Sequence, residues 1–92
     1  MPLKFRKQAS KSLQKINAED IRKIKDQLKY LLGAIEEKGI IPFTEQDIKK
    51  MRGEWNGFYR LRIGKIRIIF RVNFEVKELD IYIIGFRGDV YK

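Results

Sequence analysis

The segment that most restricts the fold is residues 58–70, where apolar and basic residues alternate on both sides of a glycine. Gly64 and Lys65 are predicted to form a two-residue turn, because glycine adopts a positive φ without steric cost. Such a turn fixes the register of a β-hairpin. The predicted opposed residues are Phe58 and Arg71, Tyr59 and Phe70, Arg60 and Ile69, Leu61 and Ile68, Arg62 and Arg67, and Ile63 and Ile66. One face of the hairpin is therefore expected to be apolar.

The other face of this hairpin is predicted to be basic, with Arg62 directly opposite Arg67. Like charges opposed across a strand pair destabilise a sheet by about 0.2–1 kcal/mol. Between Tyr59 and Val72 the chain has five basic residues and no acidic residue. The pattern indicates a phosphate-binding surface, or else the solvated sheet face of a basic protein.

Length and composition limit the classes of function. The 92 residues are expected to form one domain spanning residues 1–92, and a formal net charge of +9 favours an anionic partner. The chain has no histidine and no cysteine. Imidazole acid-base catalysis and thiolate chemistry are thereby excluded, and no metal site or cofactor is expected. No apolar run has membrane-spanning length, so we expect a cytoplasmic protein that does not bind a membrane.

The N-terminal half predicts a short strand followed by two helices. Leu3–Phe5 alternates apolar and charged residues, and residues 8–16 have the apolar spacing of a short amphipathic helix. Asn17 is a predicted N-cap of a longer helix that Gly39 ends. The apolar stripe of this helix is formed by Ile21, Ile24, Leu28, Leu31, Leu32 and Ile35. The two helices are expected to form a hairpin that packs on the sheet.

The C-terminal half predicts a three-stranded meander. Residues 40–53 are interpreted as a loop, in which residues 47–51 form at most a helical turn. The third strand is predicted at residues 79–85, after a loop at residues 75–78. The predicted order of elements is β-α-α-β-β-β, an α+β fold.

The expected register of the third strand gives an exposed face with interleaved aromatic and basic residues. In that register Val72 faces Ile81 and Phe70 faces Ile83. The exposed face would then place Tyr82, Ile84 and Phe86 beside Arg71, Ile69 and Arg67. Such a face suits stacking on bases and pairing with phosphates, although the same residues are also ordinary strand formers.

Residues 53–70 and 84–91 together resemble the RelE/ParE toxin family. The pattern joins a tyrosine, alternating basic residues, a glycine turn, an arginine strand and a terminal Arg-x-x-x-Tyr, and the likeness covers nearly the whole chain. The resemblance implies an N-terminal strand and a helical hairpin packed on a mainly antiparallel twisted sheet. In this family the RelE-like branch consists of ribosome-dependent mRNA endonucleases, whereas the ParE-like branch poisons DNA gyrase.

The resemblance to the RelE-like branch implies a role for each matching position. Arg60 and Arg62 would bind and neutralise the phosphate, and Arg67 would contact the scissile phosphate. Arg87 would stabilise the developing negative charge, and Tyr91 would stack on or activate the nucleotide. The expected catalytic residues are Arg62, Arg67, Arg87 and Tyr91, and the expected RNA-binding residues are Arg60, Lys65, Arg71 and Phe86. Some relatives carry a histidine where this chain has Phe86, so an imidazole is not part of the expected chemistry.

The expected function is that of a metal-independent endoribonuclease toxin that cleaves mRNA on the ribosome. The RNA 2′-hydroxyl would be the nucleophile and arginines would stabilise the charged phosphorane. Arginine is a poor base, so Tyr91 or a group from the RNA or the ribosome would assist proton transfer. The expected partners are mRNA, the ribosome and a cognate antitoxin with an acidic or amphipathic segment. The alternatives are a ParE-like gyrase-binding toxin and a non-catalytic nucleic-acid-binding module.

Overall fold

The computed structural model describes residues 3–86, in which two helices pack on one face of a five-stranded sheet. The elements are β1 (Leu3–Phe5), α1 (Lys7–Leu13), α2 (Ala18–Lys38), β2 (Ile48–Lys50), β3 (Tyr59–Ile63), β4 (Ile66–Asn73) and β5 (Glu78–Phe86). The strand order is β1-β5-β4-β3-β2, and only β1 and β5 run parallel among these neighbours. The predicted α+β class with a mainly antiparallel sheet is confirmed.

The longer helix α2 begins and ends at the predicted residues. The side chain of Asn17 accepts a hydrogen bond of 2.8 Å from the backbone N–H of Asp20, and Gly39 ends the helix with a φ of 65°. Most of the predicted stripe is fully buried, and Ile21 and Leu32 pack at its margin. This stripe packs on the apolar face of the sheet and forms the core.

The first helix is shorter than predicted and ends at Leu13 rather than near Ile16. The backbone N–H groups of Lys15 and Ile16 donate to carbonyl groups three residues earlier, which tightens the end of the helix. Asn17 has to be extended in order to cap α2, so the chain turns before it. Ile16 nevertheless remains buried in the core, as its apolar spacing predicted.

The hairpin of β3 and β4 has the predicted register. Arg62 lies opposite Arg67, and the other expected pairs from Tyr59–Ile63 are also present. Gly64 has a φ of 59°, as its place in the turn requires. On the core side the rings of Tyr59 and Phe70 stack with their centroids 5.5 Å apart. The alternation of the sequence therefore determined which side chains share each face.

The expected loop at residues 40–53 contains a strand, so the helical turn predicted at residues 47–51 is wrong. Ile48–Lys50 forms β2 at the edge of the sheet and pairs antiparallel with β3. Only Ile48 of this strand is buried, opposite Leu61. A single apolar position has no periodicity, so pairing with β3 rather than local pattern defines this strand.

The predicted register of β5 is also wrong, by two residues at its start. Val72 pairs with Leu79 and Phe70 with Ile81, because the turn at residues 74–77 begins one residue earlier than predicted. A bulge follows, and after it Ile69 pairs with Ile83. Tyr82 is thus the additional residue on β5, opposite no residue of β4.

This bulge changes which side chains of β5 lie beside the arginines. Ile84 pairs with Ile68 and is buried in the core, although an exposed position was predicted. Phe86 pairs with Ile66 and lines a depression on the helix side, so its predicted place beside Arg67 is wrong. Ile69 is fully buried rather than exposed. For Ile84 and Phe86 the cause is that Tyr82 and Ile83 follow each other on one face of the sheet, which reverses the alternation of β5 beyond them.

Candidate nucleic-acid interface

The face of the sheet opposite α2, which we call the outer face, carries most of the predicted phosphate-binding arginines. Its members follow from alternation, because their neighbours in β2 to β5 lie in the core. The outer-face residues of these strands are Lys49, Arg60, Arg62, Arg67, Ile69, Arg71, Asn73, Glu78, Asp80, Tyr82, Ile83 and Gly85. Four arginines therefore project from two neighbouring strands into one region.

One row across the outer face, formed by Asp47, Arg62, Arg67 and Gly85, contains the two opposed arginines. We call this the charged row. The Nε of Arg62 donates to Oδ2 of Asp47 at 2.7 Å, and the backbone N–H of Arg62 donates to the Asp47 carbonyl at 2.9 Å. The side chains are 51% and 37% exposed, so this ion pair stabilises the fold by only about 0–1 kcal/mol.

At the other end of the charged row, Gly85 lies opposite Arg67. Glycine has no side chain, so this position of β5 adds none to the outer face beside Arg67. Arg67 is partly buried and Arg62 exposed, although the two are neighbours across the hairpin. The charged row therefore places two arginines directly opposite each other, with a glycine as the next residue of the row.

A second group on the outer face is the aromatic cluster, formed by Trp55, Phe58 and Tyr82. The Phe58 ring meets Trp55 and Tyr82 edge to face, with centroid distances of 5.2 and 4.7 Å. The Arg71 guanidinium carbon lies 5.6 Å from the Phe58 centroid and 5.7 Å from that of Tyr82. Arg6 lies 5.0 Å from the Tyr82 centroid. Cation–π contacts thus hold arginines against aromatic rings. Phe58 and Tyr82 are the aromatic residues that the sequence placed beside Arg71, whereas Arg6 was not expected there.

A buried carboxylate completes this cluster. Asp80 is 6% exposed and lies opposite Arg71 across the strand pair. Its Oδ2 is 3.5 Å from Nη2 of Arg6. Asp80 and Arg6 therefore link the start of α1 to the outer face.

The structure brings together some of the predicted site residues and separates others. Arg60, Arg62, Arg67 and Arg71 share the outer face. Lys65 is exposed in the turn at the end of the hairpin, and Phe86 lies on the helix side. Arg87 and Tyr91 lie outside the described residues.

Asp47, Arg6 and Asp80 were not foreseen from the sequence as neighbours of these arginines. Asp47 lies in the segment expected to be a loop, and Arg6 comes from the far end of the chain. No local signal pointed to Asp47, because the neighbouring strand β2 has a single apolar residue and is defined by its pairing with β3.

An apolar groove of about 470 Å³ lies on the other side of the molecule, between β1 and the two helices. Its apolar lining consists of Leu3, Phe5, Leu13, Ile21, Ile24, Leu28 and Leu32. Lys25 and Lys29 of α2 also line it, and both are exposed. The groove therefore combines an apolar floor with positive charge.

Within residues 3–86 no three histidine, cysteine, aspartate or glutamate side chains are grouped as metal ligands. None of the helices in the same range is long and apolar enough to cross a membrane.

Comparison with solved structures supports a toxin fold. The chain is 27% identical to a chain of the archaeal RelE–RelB complex from Pyrococcus horikoshii OT3, with a TM-score of 0.72. The match covers 98% of this chain and 100% of that chain. It is also similar in fold to a chain of the intact RelBE complex of E. coli, with 20% identity and a TM-score of 0.70. That match covers 94% of this chain and 95% of the E. coli chain. A chain of the YoeB–YefM complex from Staphylococcus aureus is similar as well, with 21% identity and a TM-score of 0.68. Here the match covers 92% of this chain and 94% of the S. aureus chain.

Sequence comparison identifies the family. Among curated proteins, none matches the chain at a significant level. The family model described as the ParE toxin of the type II toxin–antitoxin system, parDE, matches residues 3–89. The chain therefore belongs to the RelE/ParE family of toxins from type II toxin–antitoxin systems.

Proposed function

We propose that this toxin is a RelE-like endoribonuclease that cleaves mRNA on the ribosome without a metal ion. The observation that carries the proposal is the charged row, in which Arg62 and Arg67 are directly opposed on the outer face. The carboxylate of Asp47 pairs with Arg62, and Arg60 lies two residues along β3 on the same face. The surface keeps an excess of positive charge, which suits a phosphate ligand.

The proposed reaction uses the RNA as its own nucleophile. The 2′-oxygen attacks the adjacent phosphorus, the bond from phosphorus to the 5′-oxygen breaks, and the products carry a 2′,3′-cyclic phosphate and a 5′-hydroxyl. Arg62 and Arg67 would stabilise the negative charge that accumulates on the phosphorane. Arginine stays protonated, so the proton of the 2′-hydroxyl passes to another group and the 5′-oxygen receives one. Tyr91, the RNA and the ribosome are the candidates for these transfers, and Arg87 would add further charge stabilisation.

The experiment is a reconstituted translation reaction with the purified toxin, analysed by primer extension and by the chemistry of the new RNA ends. We expect cuts within translated codons, new 5′-hydroxyl ends, and undiminished cleavage in the presence of a chelator that leaves ribosomes intact. Intact message would contradict the proposal. Cuts that leave 5′-phosphates would contradict the proposed chemistry.

A cognate antitoxin is the second part of the proposal. The similar structures are complexes of RelE with RelB and of YoeB with YefM. We expect an antitoxin with an amphipathic, acidic segment, because the apolar groove is accompanied by Lys25 and Lys29 and the outer face is basic. Binding of this segment would keep the toxin inactive in the cytoplasm, where mRNA is translated.

The second candidate function is a ParE-like toxin that binds gyrase. It is favoured by the family model, whose description names the ParE toxin. Inhibition of gyrase supercoiling by the purified toxin, with message left intact, would support this function. If the purified toxin neither inhibits gyrase nor cleaves message, the remaining candidate is a non-catalytic nucleic-acid-binding module.

A further inference from the structure

Asp47 is attached to Arg62 at two points. The backbone pair continues the register of β2 and β3 by one residue beyond Ile48 and Leu61, since Arg62 donates to the Asp47 carbonyl at 2.9 Å. The side-chain pair joins Nε of Arg62 to Oδ2 of Asp47 at 2.7 Å. The backbone contact fixes where the carboxylate lies, and the carboxylate then fixes the guanidinium group.

Because Asp47 binds Nε of Arg62, the other nitrogens of the guanidinium group can still bind a ligand. A guanidinium group has five N–H donors, of which one is on Nε and four are on the two terminal amino groups. Asp47 uses the inner donor, at the base of the group. The terminal amino groups form the opposite edge of the same plane, and this edge matches two oxygens of a phosphate.

We propose that Asp47 is a positioning residue for the phosphate site. It holds Arg62 by Nε so that the terminal amino groups of Arg62 face the phosphate that Arg67 also contacts. The inference rests on the proposed nuclease function, because it assigns Asp47 a role in that same site. Asp47 does not touch the substrate in this arrangement.

The geometry also distinguishes this role from that of a carboxylate that blocks the site. A blocking carboxylate would occupy the terminal amino groups and would have to leave before phosphate could bind. The contact through Nε allows Asp47 and a phosphate to bind Arg62 at the same time. If Asp47 only reduced the repulsion between Arg62 and Arg67, a negative charge near them would be enough. It would not matter which nitrogen of Arg62 the carboxylate binds.

The test compares Asp47→Ala and Asp47→Asn with the wild type in the translation reaction described above. Asp47→Ala is expected to slow cleavage on the order of tenfold, because a small misplacement of a catalytic group lowers the rate strongly. Affinity for programmed ribosomes should stay equal or become tighter, since one negative charge is lost. Asp47→Asn keeps an acceptor oxygen, so its cleavage rate should fall less than that of Asp47→Ala. The matched control is Asp26→Asn, which removes the same charge from an exposed position on α2.

A double-mutant cycle separates positioning from a general structural effect. If Asp47 acts through Arg62, adding Asp47→Ala to Arg62→Ala should change the rate less than about twofold. Losses that multiply in the double variant would overturn the inference, as would a rate that is unchanged or raised in Asp47→Ala.

A readout independent of cleavage is the NMR signal of the Arg62 Nε–H group. In the wild type it should exchange slowly with water and have its own chemical shift, and in Asp47→Ala it should exchange as fast as an exposed arginine. An unchanged signal would overturn the inference even if the rate fell. A wild type that cuts no message would overturn the nuclease function and the inference together, whereas equal cutting by wild type and Asp47→Ala would overturn the inference alone.

Discussion

Arg62 and Arg67 show how an unfavourable pair is accommodated within a small sheet. Their opposition follows from the turn at Gly64, and the structure has it as predicted. The carboxylate of Asp47, which lies one residue before β2 and binds Arg62, could not be predicted, because nothing local in residues 40–53 indicates a strand. Local alternation thus determined the faces of the hairpin, whereas a long-range pairing determined what partners the arginines have.

Arg62→Lys tests whether the shape of the side chain matters as well as its charge. Lysine keeps the positive charge but cannot hold Asp47 with one nitrogen and present two amino groups with others. We expect the cleavage rate to fall about tenfold, with little change in the free energy of unfolding because the ion pair is exposed. The measurement is single-turnover cleavage on programmed ribosomes, with Arg22→Lys on the exposed side of α2 as the control. Equal rates for Arg62→Lys and the wild type would contradict this expectation.

Among the helices and strands, those with a strong local sequence pattern were predicted correctly, whereas the turns and bulges that set strand register were not. The α2 helix has a cap, a long apolar stripe and a terminal glycine, and all three fall where predicted. The start of β5 depends on the length of one turn, in which the Asn73 side chain accepts a hydrogen bond from the backbone N–H of Glu75 at 3.1 Å. At the bulge the Tyr82 ring packs against Phe58, which lies just before β3 and far away in the sequence. Such features are set by tertiary contacts and leave little trace in the local sequence.

Two glycines allow a matched test of backbone conformation. Gly33 lies inside α2 with open space around its Cα, so Gly33→Ala should raise the free energy of unfolding by about 0.5–1 kcal/mol through helix propensity. Gly64 also has open space but a φ of 59°, so Gly64→Ala should lower it by about 1–2 kcal/mol. Urea unfolding followed by circular dichroism measures both. Changes of the same sign would contradict the assigned conformations.

The whole molecule has two different surfaces. The outer face presents arginines and aromatic rings, and the helix side presents an apolar groove with Lys25 and Lys29. The sequence indicated the basic surface from its charge and alternation, since both are local properties. The groove was not foreseen, because it forms only when β1, α1 and α2 come together.

Charge on the outer face predicts a salt dependence of RNA binding. For a single strand the logarithm of the binding constant falls with the logarithm of salt concentration, with a slope of about −0.7 for each phosphate neutralised. Arg71→Ala should make the slope less negative by about that amount if Arg71 pairs with phosphate rather than only with rings. Fluorescence anisotropy with labelled single-stranded RNA measures the slope, and Arg22→Ala is the control. A lower affinity with an unchanged slope would assign Arg71 to packing alone.

Charge reversal at the groove tests the expected antitoxin. Lys25→Glu combined with Lys29→Glu should weaken the complex with an acidic antitoxin about tenfold or more, because each change replaces attraction with repulsion. Cleavage by the free toxin should be unchanged, because both lysines are on the side opposite the outer face. Titration calorimetry with the antitoxin of the same operon is the measurement. Unaltered affinity would show that the antitoxin binds elsewhere.

The most direct test of the central claim is primer extension on a translated message with the wild type and Arg67→Ala side by side. Arg67 lies on the outer face, outside the core, so the variant is expected to fold, which circular dichroism would verify. We predict cuts inside translated codons for the wild type and a loss of about 10²-fold or more in the variant, the usual effect of removing one charge-stabilising group. Equal cutting by a folded Arg67→Ala protein, or no cutting by the wild type, would contradict the claim that the charged row is a nuclease site.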